Sequence, residues 1–145
     1  MNIVKQNLFE FTRNSDPLDT LGIGYAGKIH KFFDDLGVDR DDYNIKDKQI
    51  TFYGAGLYLN ETDSLIELPD NIKTDGYLSL ENCINLVKLP NNLYIGDNLY
   101  LTDCTKLVEL PDDIVVKKLI YVSSKQTELI NWINNSRFKY KLYIR

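Results

Sequence analysis

A proline recurs at a fixed distance in the middle of this chain, and this spacing constrains the fold more than any other feature. Pro69, Pro90 and Pro111 are each 21 residues apart, and a leucine precedes each of them. Other apolar positions keep the same register, and the series continues without a proline at Ile120 and Val122. Columns that stay in register over three copies are typical of a solenoid, in which each repeat forms one coil.

Each repeat contains an L-x-L segment, whose period-two alternation predicts a short strand with one buried face. Proline disrupts a central strand and a helix interior alike, so we expect the L-P step in a turn or an extended arc. A single unit cannot bury its own leucines, whereas parallel stacking about 4.8 Å apart builds one continuous core. The strands predicted to pair in parallel, in sequence order, are residues 57–59, 78–80, 99–101 and 120–122.

The segment before the repeats predicts an N-terminal helical cap over residues 1–48. Apolar residues recur at helical spacing between residues 28 and 36, and Gly37 is a good helix stop. A shorter helix is predicted over residues 3–12. Residues 49–53 alternate like a strand, which we expect to pair beside the first repeat strand. A capped first coil would then lead into the repeats, which together with this strand occupy residues 49–122.

The segment after the repeats predicts a C-terminal cap over residues 123–145. An amphipathic helix is expected over residues 127–137, with Thr127 or Ser124 as its N-cap. A strand is predicted over residues 139–145, since its apolar positions come 22 residues after those of the last repeat strand. Its lysine and arginine side chains would guard an exposed sheet edge.

The repeat sequence resembles a known family. The string L-x-L-x-x-C-x-x-L-x-x-L-P, at residues 78–90 and again at 99–111, resembles the leucine-rich repeat in its short bacterial form. More narrowly, the chain is similar to phage-encoded proteins that open with D-P-x-x-x-L-G-I-G, here residues 16–24, and continue with repeats of L-x-L…L-P-D-x-L. The resemblance covers about residues 14–122. It implies an α/β solenoid, a leucine-rich-repeat-like right-handed coil with a parallel sheet, and a phage origin, but no particular reaction.

Composition favours one soluble domain over residues 1–145. The chain is 43% hydrophobic, and its net charge of −4 provides no basic footprint for nucleic acid. No apolar run approaches the roughly 18 residues that a membrane-spanning helix needs. Residues 1–6 lack the apolar stretch of a signal peptide. We therefore expect a cytoplasmic protein, in an infected bacterial host if the chain is phage-encoded, with reduced cysteines.

Residues 22–28 match both G-x-G-x-x-G and G-x-x-x-x-G-K, two nucleotide-binding patterns whose glycines let the backbone approach phosphate. Both patterns require a preceding strand, and the residues before Gly22 are turn-like instead. Ile29 also stands where a P-loop needs a hydroxyl group for magnesium. We therefore interpret the segment as a glycine-rich hinge that leads into the cap helix, and we expect no cofactor.

Cysteine and histidine offer few sites for chemistry. Cys83 and Cys104 share one column, so stacking would bring their sulfurs roughly within disulfide reach. We favour the alternative, a buried ladder of small residues with reduced thiols. His30 lies far from both cysteines in sequence, and two cysteines alone do not make a metal site. No spacing places a nucleophile or an acid beside His30, so we expect no catalytic and no metal-binding residues.

The middle residue of each L-x-L strand should point away from the core. These residues include three tyrosines, and acidic side chains follow them along the chain. Tyrosine is enriched in binding hot spots, although it also favours exposed strands without any function. The residues predicted to bind a protein partner are Tyr58, Tyr77, Glu81, Tyr100, Asp103 and Tyr121. The outward columns beside them are predicted to be Asn60, Glu81, Thr102 and Ser123, and then Glu61, Asn82 and Asp103.

These features favour a protein-binding module without enzymatic activity, which engages a host protein through the strand face or the caps. The acidic rim favours a partner with a basic surface. A narrower alternative is an inhibitor of a bacterial defence system such as a CRISPR effector. Two further alternatives belong to other functional classes. One is a self-associating structural or virion component, and the other is an enzyme that uses the glycine segment to act on a nucleotide.

Overall fold

The computed structural model describes residues 24–137 and 140–145, and most of this part forms a β-solenoid of about four turns. Each full coil contributes one short strand to each of two sheets. The helical elements are α1 (Gly24–Asp35), a 3-10 turn (Arg40–Asp42) and α2 (Thr127–Asn135). The strands are β1 (Tyr43–Lys46), β2 (Gln49–Phe52), β3 (Gly56–Tyr58), β4 (Ile72–Thr74), β5 (Tyr77–Ser79), β6 (Tyr94–Ile95), β7 (Leu99–Tyr100), β8 (Val115–Val116), β9 (Leu119–Val122) and β10 (Lys141–Ile144).

The repeat strands form one sheet, which we call the L-x-L sheet, in the order β10-β9-β7-β5-β3. All neighbouring strands in it are parallel, and Leu57, Leu78, Leu99 and Ile120 stand opposite one another in register. The predicted pairing of the repeats is therefore confirmed. The 22-residue offset of the final strand is confirmed as well, because Leu142 pairs with Ile120 at the edge of the sheet.

A second sheet, in the order β1-β2-β4-β6-β8, was not predicted. Its strands β4, β6 and β8 follow the L-P steps and are only two or three residues long. The prediction that residues 49–53 pair beside the first repeat strand is wrong. That segment forms β2, which pairs antiparallel with β1 and parallel with β4, whereas β3 begins the L-x-L sheet. The arc after each proline is thus a strand in its own right.

The chain passes from one sheet to the other at a tight corner, and Gly76 shows why the corner is tight. Only Asp75 and Gly76 separate β4 from β5. A Cβ atom at Gly76 would lie 1.9 Å from the carbonyl oxygen of Ala55, in the coil below. Successive coils therefore touch backbone to backbone here, which only glycine permits.

The core runs continuously between the two sheets. Leu80 and Leu101 are fully buried, and Leu59 is only 4% exposed, because each coil covers the leucine side chains of its neighbour. The second sheet contributes Ile72 and Ile95, which are also fully buried. Because no coil could bury these side chains alone, stacking supplies the driving force for folding.

The helices pack onto this same core. In α1 the apolar face is Ile29, Phe32 and Phe33, and the Phe33 ring lies 5.2 Å from the rings of both Tyr43 and Phe52. Gly37 follows with a φ of 76°, as predicted for a helix stop. In α2 Leu129 and Ile133 are buried, which confirms the predicted amphipathic helix, although it ends at Asn135.

The N-cap of α2 differs from the prediction. Gln126, rather than Thr127 or Ser124, stands at that position, and its side chain makes no capping hydrogen bond. The predicted helix over residues 3–12 and most of the D-P-x-x-x-L-G-I-G segment lie outside the described residues. Gly24, Gly27 and Lys28 lie within α1, so this part of the predicted hinge is helix. Among the described residues, no helix is long and apolar enough to cross a membrane.

Candidate functional site

The outer face of the L-x-L sheet carries four tyrosines, and the ring of each contacts the ring of the next across the strands. Tyr77 and Tyr100 meet edge to face, with ring centroids 6.1 Å apart. Tyr100 and Tyr121 stack at 4.6 Å with only 20° between their planes. Tyr121 and Tyr143 follow at 5.0 Å. We call these four residues the tyrosine row. It arises because Tyr100, Tyr121 and Tyr143 stand opposite one another in register on parallel strands, whereas Tyr77 lies diagonally beside Tyr100, two residues before its direct partner Ser79.

Tyr58 was predicted to belong with these tyrosines, but Ser79 separates it from them. Tyr58 pairs with Ser79 across β3 and β5, and Ser79 pairs with Tyr100 across β5 and β7. Ser79 is 5% exposed, and its hydroxyl donates to the Asn60 Oδ1 atom at 2.6 Å. Tyr58 is 63% exposed and contacts no other ring among the described residues. Of the predicted tyrosines, Tyr77, Tyr100 and Tyr121 come together and Tyr58 stands apart.

A second outward row runs alongside the tyrosine row, and part of it is not exposed. Continuing the strand register places Glu81, Thr102, Ser123 and Arg145 next to one another. Thr102 and Ser123 lie in this predicted outward row, but they are covered and only 8% and 7% exposed. Arg145 reaches over them, since its Nη1 atom lies 3.0 Å from Glu81 Oε2 and its guanidinium carbon lies 5.2 Å from the Tyr121 ring centroid.

The predicted acidic rim is accordingly weaker than the sequence indicates. The carboxylate of Glu81 is ion-paired with Arg145, and only 20% of its side chain is exposed. Asp103 lies in the turn after β7 with a φ of 63°, and Glu61 and Asn82 adopt the same left-handed conformation after their strands. This column therefore shapes the chain reversal at the end of each strand. Glu81 lies beside the tyrosine row, whereas Asp103 belongs to the turn.

His30 is the centre of a small polar cluster where α1 meets β1. The His30 Nδ1 atom lies 2.7 Å from the hydroxyl of Tyr43, and Arg40 holds Asp34 with two hydrogen bonds of 3.2 and 2.7 Å. Burial and the charge of Arg40 lower the pKa of His30, although Asp34 opposes them. Burial raises the pKa of Tyr43. The imidazole and the phenol thus stay neutral near pH 7 and join helix to strand.

The cysteines form the predicted buried ladder. The Cys83 Sγ atom lies 3.1 Å from the carbonyl oxygen of Leu59, and that of Cys104 lies 2.9 Å from that of Leu80. Both cysteines are free and fully buried. Burial raises the pKa of both thiols, that of Cys104 to about 12. Each thiol therefore joins two coils as a hydrogen-bond donor and has little nucleophilic character.

Other features offer little chemistry. No group of three or more histidine, cysteine or acidic side chains in the described parts of the chain is placed to hold a metal ion. A shallow groove of about 430 Å³ lies on the second sheet, where Lys73 covers Tyr94 and Asn71, Asn92 and Asp113 stand at one end. Asn92 binds both Asn71 and Asp113, so this end of the groove is internally satisfied.

Sequence reasoning missed three residues of this region: Gln126, Tyr143 and Arg145. Tyr143 lies outward on a strand for which sequence reasoning placed only the inward positions, and Arg145 was predicted only to guard the sheet edge. The 22-residue offset is the signal that places both residues beside the outward positions of β9. Gln126 gave no signal in the repeat pattern. Comparison with known proteins finds no match, whether with protein-family models, with curated proteins or with solved structures.

Proposed function

We propose that this protein is a protein-binding module without catalytic activity, and that its contact surface is the outer face of the L-x-L sheet. The tyrosine row carries the proposal. Large aromatic side chains held in place by their neighbours offer contact area at low entropic cost. Tyr100 and Tyr121 lie at the centre of the row, where a partner would exclude water most completely.

The packing of the rings favours a polypeptide partner over a sugar or a nucleobase. Tyr100 and Tyr121 cover each other's faces, because their planes are nearly parallel at 4.6 Å. A sugar or a base would need an open ring face on which to stack. The row instead offers phenol rings packed against one another, whose hydroxyl groups suit the side chains and backbone of a protein. The net charge of −4 favours a partner with a basic surface.

The finer description of the fold belongs to the same proposal. We propose a leucine-rich-repeat-like, right-handed coil whose terminal coils are closed by α1 and by α2 with β10. The burial of Phe33 against Tyr43 and Phe52, and of Leu129 and Ile133 in the common core, supports this role for the helices. The resemblance to phage proteins favours a host protein as the partner, and an inhibitor of a defence system is a narrower form of that proposal.

Affinity capture with matched tyrosine variants tests the function. The immobilised protein is exposed to bacterial lysate, retained proteins are identified by mass spectrometry, and the capture is repeated with Tyr100→Ala. Tyr53→Ala is the control, because Tyr53 is 52% exposed but lies outside the tyrosine row. We expect Tyr100→Ala to weaken capture by about 2 kcal/mol or more and Tyr53→Ala to leave it unchanged. Equal capture by both variants would contradict the proposal.

Self-association is a second candidate function, because β10 ends the L-x-L sheet. Tyr143 and Ile144 on this strand are 52% and 48% exposed, and an edge strand can pair with a second chain. Light scattering over a hundredfold range of concentration measures this directly. A dimer that Ile144→Lys dissociates would favour self-association, and a monomer at all concentrations would remove this candidate.

A further inference from the structure

The second outward row of the L-x-L sheet contains a slot that an arginine side chain already occupies. Arg145 extends from the end of β10 back across the sheet to Glu81, which lies 64 residues earlier in the chain. Three strand spacings separate the two residues, which is about 14 Å, and the extended side chains of arginine and glutamate together bridge that distance. The guanidinium is thus held far from its own backbone.

The residues between the two ends give the slot its shape. Thr102 and Ser123, both small, stand in the row between Glu81 and Arg145, and their low side chains leave room for a long one. The ring of Tyr121 flanks the guanidinium at 5.2 Å, a distance at which a cation is attracted to the ring. Glu81 supplies the carboxylate at the far end. A carboxylate at one end, an aromatic ring at the side and small residues beneath are together well suited to bind an arginine side chain.

An unsatisfied polar atom lies in the same row. The Thr102 Oγ1 atom is buried and has no hydrogen-bond partner among the described residues. Buried hydroxyl groups normally have a partner, and the few exceptions in native proteins need an explanation. Arginine carries five N–H donors, and Arg145 uses only one of them on Glu81. A guanidinium seated slightly differently could donate to Thr102 as well.

We propose that this slot, formed by Glu81, Thr102, Ser123 and Tyr121, binds an arginine side chain of the partner protein, and that Arg145 occupies it in the free protein. The inference rests on the proposed function, since the slot borders the tyrosine row. Arg145 acts as an internal competitor: its exposed fraction is 48%, so it can leave the slot without opening the core. The partner's arginine replaces it, which makes the sheet selective for a basic segment carrying arginine in place of lysine.

Short blocked peptides test the slot without the unknown partner. The probes are Gly-Ser-Arg-Ser-Gly and the same peptide with citrulline or lysine in place of arginine. Binding is followed by NMR chemical shifts at low salt, for the wild-type chain, for Arg145→Ala and for Arg145→Ala combined with Glu81→Gln. Lys141→Ala is the matched control, because it removes one positive charge from the same exposed strand.

We expect the arginine peptide to bind Arg145→Ala about tenfold more tightly than the wild type. If Arg145 fills the slot about nine-tenths of the time, only about one-tenth of the wild-type molecules can bind the peptide, and its apparent affinity falls tenfold. Glu81→Gln should abolish this gain, and Lys141→Ala should show none. The citrulline peptide should not bind, and the lysine peptide should bind less tightly. Equal affinity of the arginine peptide for wild type and Arg145→Ala, or equal binding of the citrulline peptide, would overturn the proposal.

The two proposals fail separately. If Tyr100→Ala still weakens capture of a partner while Arg145→Ala does not change peptide binding, the slot is wrong and the protein-binding function stands. If the arginine peptide binds Arg145→Ala more tightly while Tyr100→Ala captures the same proteins as wild type, the slot stands and the tyrosine row is not the contact surface. Thermal melting of Arg145→Ala checks that β10 remains paired through its backbone.

Discussion

Replacing Gln126 by alanine should destabilise the protein more than any other single polar substitution on the C-terminal side of the repeats. Its carboxamide takes the place of two partners that the earlier coils provide for the coil before them, a backbone carbonyl and a cysteine thiol. The Oε1 atom accepts hydrogen bonds from the backbone of Asp103 at 3.0 Å and of Ser123 at 2.7 Å. The Nε2 group donates to the carbonyl oxygens of Leu101 at 2.9 Å and of Cys104 at 3.3 Å.

The size of the effect follows from these four contacts. One coil earlier, the N–H group equivalent to that of Asp103 belongs to Asn82, and it donates to the backbone carbonyl of Thr102 at 2.9 Å. Gln126 is 6% exposed, so water cannot easily take its place. Three bonds of 3.0 Å or less, each contributing about 1 kcal/mol, give about 3 kcal/mol, and the groups left unpaired add to this loss. The total is a large part of the 5–15 kcal/mol that stabilises a typical domain.

Urea denaturation of three variants measures the effect. Gln126→Ala should lower the free energy of unfolding by about 3–4 kcal/mol. Gln126→Met, which nearly preserves the volume, should lose most of the same amount, because hydrogen bonds and not packing are removed. Thr127→Ala should stay within about 0.5 kcal/mol, since Thr127 is exposed and does not cap α2. The reasoning is refuted if Gln126→Ala costs less than about 1 kcal/mol, or if Thr127→Ala costs as much as Gln126→Ala.

Three further predictions follow from the same architecture. Leu80→Ala should lower the free energy of unfolding by about 2–5 kcal/mol, because Leu80 is fully buried between coils. Leu142→Ala, on the partly exposed edge strand, should lower it clearly less, and equal losses in urea denaturation would argue against a stacked core. Because burial raises the pKa of Cys104 from 9.0 to about 12, the folded state keeps a proton that the unfolded state releases, so stability should fall as the pH rises from about 9 to 12, and Cys104→Ser should flatten that fall. ATP, GTP and NAD should give no binding heat in calorimetry, since Gly24 and Gly27 lie within α1; micromolar binding that Lys28→Ala removes would contradict this.

The structure also changes what is expected of Tyr100→Ala. The sequence predicts that an outward tyrosine supports no core, so its loss should hardly affect folding. In the structure Tyr100 contacts the rings of Tyr77 and Tyr121 and accepts a hydrogen bond from Asn98 at 3.1 Å. Aromatic pairs contribute about 0.5–1.5 kcal/mol each beyond their buried area. Binding losses in Tyr100→Ala must therefore be compared at temperatures well below its lowered melting point.

The sequence predicts the L-x-L sheet well because stacking repeats the same physical requirement in every coil. A buried leucine column, a parallel register and a tight turn must each recur every 21 residues, so the pattern is visible in one sequence. The second sheet was missed for a related reason. Strands such as β6 and β8 contain two residues each, which is too short for period-two alternation to appear. Their pairing is imposed by the stacking and not by local preference.

The residues that end the repeat were harder to predict, because each of them solves a problem that occurs only once. The last coil is one residue longer than the others, since Leu142 follows Ile120 by 22 residues. Within it, Lys125, and not Gln126, stands 21 residues after Cys104. Lys125 is exposed, and Gln126 turns inward to meet the Leu101 carbonyl that a third cysteine would otherwise reach. The same offset brings Arg145 into the row of Glu81. A specific function in a solenoid is expected at such departures from the repeat, because identical coils present identical surfaces and only a break in register gives a partner one unique place to bind.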